Sequence, residues 1–275
     1  MLKDLVGRWL RAGTVDIPDL LWESTLAMLP FLARLSTAER AALRSLAGNL
    51  LASKQMASAG GLELTAAIQV NIAVQACLPV LNLGLEWYRG WSSIVVYPDE
   101  FLVPRAVTDE AGVMHEYSEP LSGEAWQGGP LLVSWADAQR VTGYGGQPYS
   151  VVLHEFAHKI DLLDGEADGV PPFSSALHAG LRNDRWTSVL SEAHERFIAE
   201  LELIELELPA DVDPDGPQAD AHYAHLPLDA YAADDAAEFF AVSSETFFVA
   251  PARLQQAFPD WYGQLVAFYR QDPLR

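Results

Sequence analysis

The pentapeptide His154-Glu155-Phe156-Ala157-His158, inside the run VVLHEFAHKIDLLDG, constrains this chain more than any other stretch. An α-helix turns about 100° and rises about 1.5 Å per residue, so the two histidines project from one face about 6 Å apart. Two neutral imidazole nitrogens at that spacing can close on one Zn²⁺ at about 2.0–2.1 Å. Glu155 lies about 100° round the helix, poorly placed to share the metal but able to reach a water beside it. With seven histidines in 275 residues, chance placement yields the pattern only about 0.01 times per chain. The rest of the chain has to supply the missing ligand.

Charge narrows the partners. The formal net charge is −21 and the pI about 4.5, which argues against binding nucleic acid and against adhesion to anionic membranes. Half the residues are apolar and a fifth charged, the composition of a globular protein with a sizeable core. The lone cysteine, Cys77, excludes an intrachain disulfide and a cysteine-based zinc site; in its apolar run it reads as a buried thiol. The first residues, MLKDLVGRWLRAG, lack the apolar core of a signal peptide. Ile68 to Leu85 is broken by Gln69, Asn71, Gln75, Pro79 and Asn82, so it is no membrane span. A soluble, cytoplasmic protein is expected.

Residues 1–61 read as helical: Pro18 opens one helix, and Ser36-Thr37-Ala38-Glu39 is a capping box that starts another. Met56 to Gly61 reads as a loop, and a helix is expected from Leu62 to about Leu78, before Pro79. Ser92–Tyr97 and Phe101–Val107 are strand-like runs around Pro98-Asp99-Glu100, a hairpin-like signal; Asp109 to Gly112 resembles a turn. Leu131–Trp135 reads as a further short strand and 184–206 as a helix, followed by an acidic, loop-like Pro209–Pro227. A few strands and then helices predict an α+β layout, with a small mixed sheet and an active-site helix preceded by N-terminal helices. The expected division is a helical region, 1–61, packed on a core of residues 62–275. Residues 161–238 hold nineteen acids against Arg182, Arg185 and Arg196, which reads first as a solvated face. Asp164 to Gly169 fits an ordinary polar turn better than a calcium loop, because position twelve would be Ser175.

A catalytic zinc usually takes three protein ligands. Asp161 shares the helix stripe of the histidines, but its seven-residue separation from His154 rises about 10.5 Å, too far to converge on one ion. It is either an acceptor that orients a histidine ring through its other N–H, or a helix-end surface acid. His222 and His225 sit in the acidic segment with no framework and read as surface residues. Glu238 lies in DAAEFFAV, a helix with aromatics to anchor it, and Glu245 falls seven residues later on the same stripe, placed to support the site from behind. Glu238 reads equally as a metal ligand or as an exposed first-turn acid favoured by the helix dipole.

HEFAHKIDLLDG, DAYAADDAAEFFAVSSETFF, FPDWYGQLVAFYRQDPL and the upstream QACLPVLNLGLEWY and GGPLLVSWADA together resemble the MtfA (Mlc titration factor A) family of zinc peptidases. The resemblance covers most of residues 20–275 and implies a zincin-like fold, with a core similar to anthrax lethal factor protease, a gluzincin. It implies His154, His158 and Glu238 as ligands of one Zn²⁺, Glu155 as catalytic base, and Tyr231, seven residues before Glu238, as oxyanion stabiliser. The acidic Pro209–Pro227 segment looks longer than the family's usual connection.

The expected function is therefore a zinc-dependent peptidase of aminopeptidase-like activity on peptide or protein substrates. Leu131, Leu132, Val133, Ser134 and Trp135 form a candidate edge strand on which an extended peptide could lie. The alternative, also implied by the resemblance, is a regulatory binding protein that sequesters an Mlc-like transcriptional repressor. A purely structural zinc is disfavoured, because such sites are usually closed by four protein ligands.

Overall fold

Local signals set the first helices. The computed structural model describes residues 13–108, 114–143, 146–214, 216 and 218–275. Pro18 precedes α1 (Asp19–Met28). Before α2 (Thr37–Ser53), Ser36 N–H donates to Glu39 Oε2 at 2.8 Å and Ser36 Oγ accepts from Glu39 N–H at 3.3 Å, closing the capping box. Strand β1 (Gln55–Ser58) follows where the sequence reads as a loop. Only Met56 and Ala57 in it are apolar, so pairing with a neighbour, not propensity, makes the strand. Helix α3 (Ala66–Cys77), capped by Thr65, crosses to β2 (Ser93–Tyr97), which runs parallel to β1 with Met56 opposite Ile94.

The chain then makes β3 (Phe101–Thr108), β4 (Met114–Leu121), β5 (Gly123–Ala125) and β6 (Leu131–Ser134). The main sheet has the order β1-β2-β6-β5, parallel except for β5, which is antiparallel to β6. The expected hairpin between Ser92–Tyr97 and Phe101–Val107 does not form. Both edges of β2 are taken, by β1 and β6, so β3 leaves the sheet and pairs antiparallel with β4. The turn expected at Asp109 to Gly112 lies outside the described residues. Leu131–Trp135 is not an edge strand either: β5 covers β6 on its outer side, Leu131 to Ser134 are buried, and Trp135 already opens the short helix α4 (Trp135–Ala138). Among the described residues the edge of the sheet here is β5.

Helices α5 (Val151–Asp161), α6 (Asn183–Glu207), α7 (Asp220–Tyr223), a 3₁₀ turn at Ala230–Ala233, α8 (Ala236–Val249), α9 (Pro251–Ala257) and α10 (Pro259–Tyr269) complete the fold. Helix α5 packs against α8 on one side and against β5, β6 and α3 on others. One apolar core joins Leu43 and Leu50 of α2, Ile72 of α3, Phe156 of α5, Trp186 of α6, Phe240 of α8 and Phe268 of α10. Residues 13–61 share that core, and β1 belongs to the main sheet, so the core continues across the division expected after residue 61. Phe239, Phe240, Phe247 and Phe248 of α8 are fully buried. Each stabilises by about 1.5–3 kcal/mol, and together they fix a helix that also has to carry acids. No described helix is long and apolar enough to cross a membrane.

Candidate metal centre

Ser150 starts helix α5. Its Oγ accepts from Leu153 N–H at 3.2 Å, its backbone N–H donates to Glu245 Oε2 at 2.7 Å, and its hydroxyl donates to Gln75 Oε1 at 2.8 Å. Gln75 of α3 in turn donates to Asn71 Oδ1 at 2.7 Å and to the Ala138 carbonyl at 2.9 Å. The N-terminus of α5 is thus pinned at once to α3, α4 and α8 by buried hydrogen bonds.

The other end is fixed by Asp161. Its Oδ2 accepts from Gly169 N–H at 2.8 Å, and its Oδ1 is buried without a donor. Burial pushes the carboxyl up to about 7. Asp161 makes no hydrogen bond to either histidine, so it does not orient an imidazole. It ties the 164–169 turn to the helix instead. Gly169 has φ +76°, and a Cβ there would run into the Ala236 carbonyl at the start of α8. Its own carbonyl accepts from Trp186 Nε1 at 2.8 Å. Asp168 Oδ1 accepts from Val170 N–H at 3.0 Å, an ordinary Asx turn.

Between these anchors α5 presents His154 and His158 to α8. Asp235 caps α8, its Oδ1 accepting from Glu238 N–H at 2.9 Å, so Glu238 stands in the first turn, where the helix dipole favours an acid. Its side chain nevertheless turns to the histidines. The two Nε2 atoms are 3.0 Å apart, and Glu238 Oε2 lies 3.1 Å from His154 Nε2 and 3.3 Å from His158 Nε2. Tetrahedral ligands about 2.0–2.1 Å from a zinc ion stand about 3.3–3.4 Å from one another. Two imidazole nitrogens and a carboxylate oxygen at these separations fit a single divalent ion, and among the described residues no other group of three or more His, Cys, Asp or Glu converges in this way. Burial pushes Glu238 up, but hydrogen bonds from both imidazoles reverse this and hold it well below the usual range.

Glu245 Oε1 lies 2.8 Å from His154 Nδ1. A carboxylate there accepts from Nδ1–H, so Nε2, which faces Glu238, is the nitrogen that would serve as ligand once a metal replaces its proton. Glu155 faces another way. It is 5 % exposed, and burial raises it to about 7 against the downward pull of both imidazoles. Its side chain lies against Gly123 of β5. Lys159, next on the helix, donates to the carbonyls of Trp126 at 2.6 Å and Gly129 at 3.0 Å, fastening α5 to the β5–β6 turn.

His154, Glu155, His158, Glu238 and Glu245 share one cleft of about 510 Å³, with Tyr231, Tyr149 and the three residues of β5 also on its walls and, among the described residues, no lysine or arginine in its lining. Asp229 Oδ1 accepts from Tyr231 N–H at 3.1 Å, and the tyrosine ring stacks on His154 at 6.1 Å and 29°. At 47 % exposure Tyr231 stands on the rim. His222 and His225 are exposed and outside the cleft; the five residues of 131–135, four of them buried, do not line it either.

The comparisons bear on this arrangement. Residues 7–270 match the family described as glucose-regulated metallo-peptidase M90. The chain belongs to this family. Among M90 relatives, Mlc titration factor A of Klebsiella pneumoniae subsp. pneumoniae is 37 % identical over 264 residues, 96 % of this chain and 89 % of that protein. The Salmonella arizonae protein of the same name is 35 % identical over 266 residues, 96 % of each chain, and that of Escherichia coli O7:K1 is 36 % identical over 255 residues, covering 92 % and 87 %. The resemblance read from the motif segments therefore holds over nearly the whole chain, with its mixed α and β architecture, and the M90 chain carries a group able to bind a metal. Four residues around the centre were not singled out from sequence: Gln75, Gly123, Ser150 and Lys159. Of these only Ser150 had a readable signal, a helix-capping side chain just before an apolar run.

Proposed function

We propose that this protein is a zinc-dependent peptidase of the aminopeptidase-like kind. One observation carries the reading: the triangle of His154, His158 and Glu238 shares a cleft with a buried carboxylate, Glu155, from the same helix as the histidines. An ion held by the three ligands would polarise the scissile carbonyl and make water more acidic. Glu155, lifted towards neutrality by burial, takes the proton of the attacking water and returns it to the leaving amine. The Tyr231 hydroxyl, on the rim beside His154, donates to the carbonyl oxygen as charge builds there. Glu245 keeps His154 in the tautomer that leaves Nε2 free. Strand β5, the edge of the sheet among the described residues, lines the cleft and is where an extended peptide would lie alongside the centre. The three glutamates of the lining, with no lysine or arginine among its described residues, favour substrates that bring a positive α-ammonium group.

The test is hydrolysis of a panel of quenched fluorescent hexapeptides and amino-acid anilides by zinc-loaded protein. Cleavage should vanish with chelator, return with zinc, and fall by about 10²–10⁴-fold in Glu155→Gln. Activity that survives both chelator and Glu155→Gln would sink the mechanism.

A second reading rests on the name the relatives carry, Mlc titration factor A, and on their similarity to this chain over at least 92 % of its length. It makes the protein a binder that sequesters an Mlc-like repressor. Pull-down of such a repressor by Glu155→Gln protein would support binding independent of catalysis.

A further inference from the structure

We infer that Gly123 is a positioning residue for Glu155, and that the absence of a side chain at this one point of the edge strand is what lets the carboxylate occupy its place under the cleft. The inference rests on the peptidase reading above and deepens it. A Cβ placed on Gly123 would stand 2.6 Å from Glu155 Cγ and 2.7 Å from Cδ, with Oε1 closer still. All three nearest atoms belong to that one side chain. The backbone itself does not require glycine, because Gly123 is not among the residues with positive φ. The requirement comes from Glu155, thirty-two positions away in sequence.

Neither partner can move freely. Strand β5 is paired with β6 through Gly123 opposite Val133 and Glu124 opposite Leu132. The turn that joins them is clamped to α5 by Lys159. Glu155 stands on the same helix, so strand and carboxylate share one rigid frame. A methyl group on residue 123 therefore acts on the end of the Glu155 side chain, the softest part of the contact. To restore ordinary contact of at least 3.4 Å to Cγ and Cδ, the side chain has to retreat by about 1 Å, a misplacement that can cost about 10²-fold in rate. The metal triangle is formed by other side chains and is left in place.

The experiment is Gly123→Ala in the full chain, beside Glu155→Gln and the double variant. Gly123→Ala should keep its zinc content and melt close to wild type. On the best-cleaved peptide of the panel, kcat should fall by about 30–100-fold with KM within about threefold. Isothermal titration of that peptide into the two inactive proteins, Glu155→Gln and Gly123→Ala/Glu155→Gln, should give equal affinities. A weaker affinity in the double variant would mean that residue 123 acts on substrate lying along the strand and would overturn the inference. A crystal structure of metal-free Gly123→Ala decides independently of any activity. A Glu155 carboxylate displaced by about 1 Å supports the inference, and one superposing on wild type refutes it. If wild-type protein cleaves nothing in the panel, the peptidase reading fails while the crystal structure still answers the question of position.

Discussion

Replacing Glu245 with Gln removes one charge and changes almost no volume, which isolates what that carboxylate does to His154. Glu245 accepts two hydrogen bonds, from His154 Nδ1 at 2.8 Å and from Ser150 N–H at 2.7 Å. An amide cannot accept both. If its oxygen takes the histidine proton, its NH₂ faces the Ser150 N–H, donor against donor. If the amide turns over, its NH₂ meets Nδ1, and the imidazole has to carry its proton on Nε2, inside the metal triangle. Hydrogen bonds to charged groups are worth about 1.5–3 kcal/mol, and loss of a carboxylate behind a metal-bound histidine costs about 10–100-fold in metal affinity. That is about 1.4–2.7 kcal/mol of zinc binding.

The folded apoprotein responds differently. Burial raises the Glu245 carboxyl, so the charge is itself held at a cost, and a neutral amide relieves it. Zinc competition against a chromophoric chelator, paired with melting of chelated samples, should show weaker zinc binding in Glu245→Gln with apoprotein stability unchanged or raised. Glu245→Ala should instead lower stability even without metal, by about 2–4 kcal/mol, because it leaves a cavity and an unpaired buried N–H. Wild-type zinc affinity in Glu245→Gln would refute the tautomer argument.

Further outcomes follow from the same geometry. Tyr231→Phe should lower kcat about 10²-fold at unchanged zinc content, measured with the best peptide substrate; a full-rate variant would exclude the hydroxyl from the reaction. Phe240→Ala, at a fully buried core position, should lose about 3–5 kcal/mol by urea unfolding. Chelation should lower Tm and zinc should restore it, by the equivalent of about 4 kcal/mol at 1,000 times Kd. Asp161 is raised from 3.8 to about 7 by burial, so between those values the unfolded chain binds fewer protons than the native one. Apoprotein stability therefore falls as pH rises through that window and levels off above it. In Asp161→Asn the urea-unfolding gap between pH 5 and pH 8 should shrink, and an unchanged gap would show that Asp161 ionises freely in the folded state.

What could be read from the sequence is what depends on short separations. His154 and His158 share a face because four residues make about one helical turn, and Glu245 follows Glu238 by the same geometry on α8. The Ser36 capping box and the helix at 184–206 are equally local. Strand order is not. Gln55–Ser58 has little strand character, and only its pairing with β2 makes it part of the sheet. Leu131–Ser134 looks like a strand and is one, but its place between β2 and β5 depends on Ser122–Ala125, a stretch with no β-branched residue at all. Asp161 sat on the correct stripe and still missed the histidines, because the Gly169 N–H reaches it first from a turn whose path no periodicity reveals. Gly123 was illegible for the same reason: its neighbour, not its own backbone, needs the glycine.

The charge arrangement explains why a centre so awkward without its ion is built so firmly. Glu155, Glu238 and Glu245 stand near two imidazoles in a cleft whose lining, among the described residues, contains no lysine or arginine. Two unit charges about 4 Å apart at an effective dielectric of about 20 interact by about 4 kcal/mol, so three carboxylates cannot all stay ionised there at no cost. The shifts follow this conflict: burial raises Glu155 and Glu245, and only Glu238, with both imidazoles on it, is driven down. A lysine in the cleft would resolve the conflict permanently. Lys159 is one residue from His158, yet its ammonium lies over Trp91 at 4.9 Å and donates to carbonyls of the β5–β6 turn. That cation holds the β5–β6 turn to the helix and is not placed in the cleft. A divalent ion held by His154, His158 and Glu238 would offset the three carboxylates as no described side chain of the cleft does.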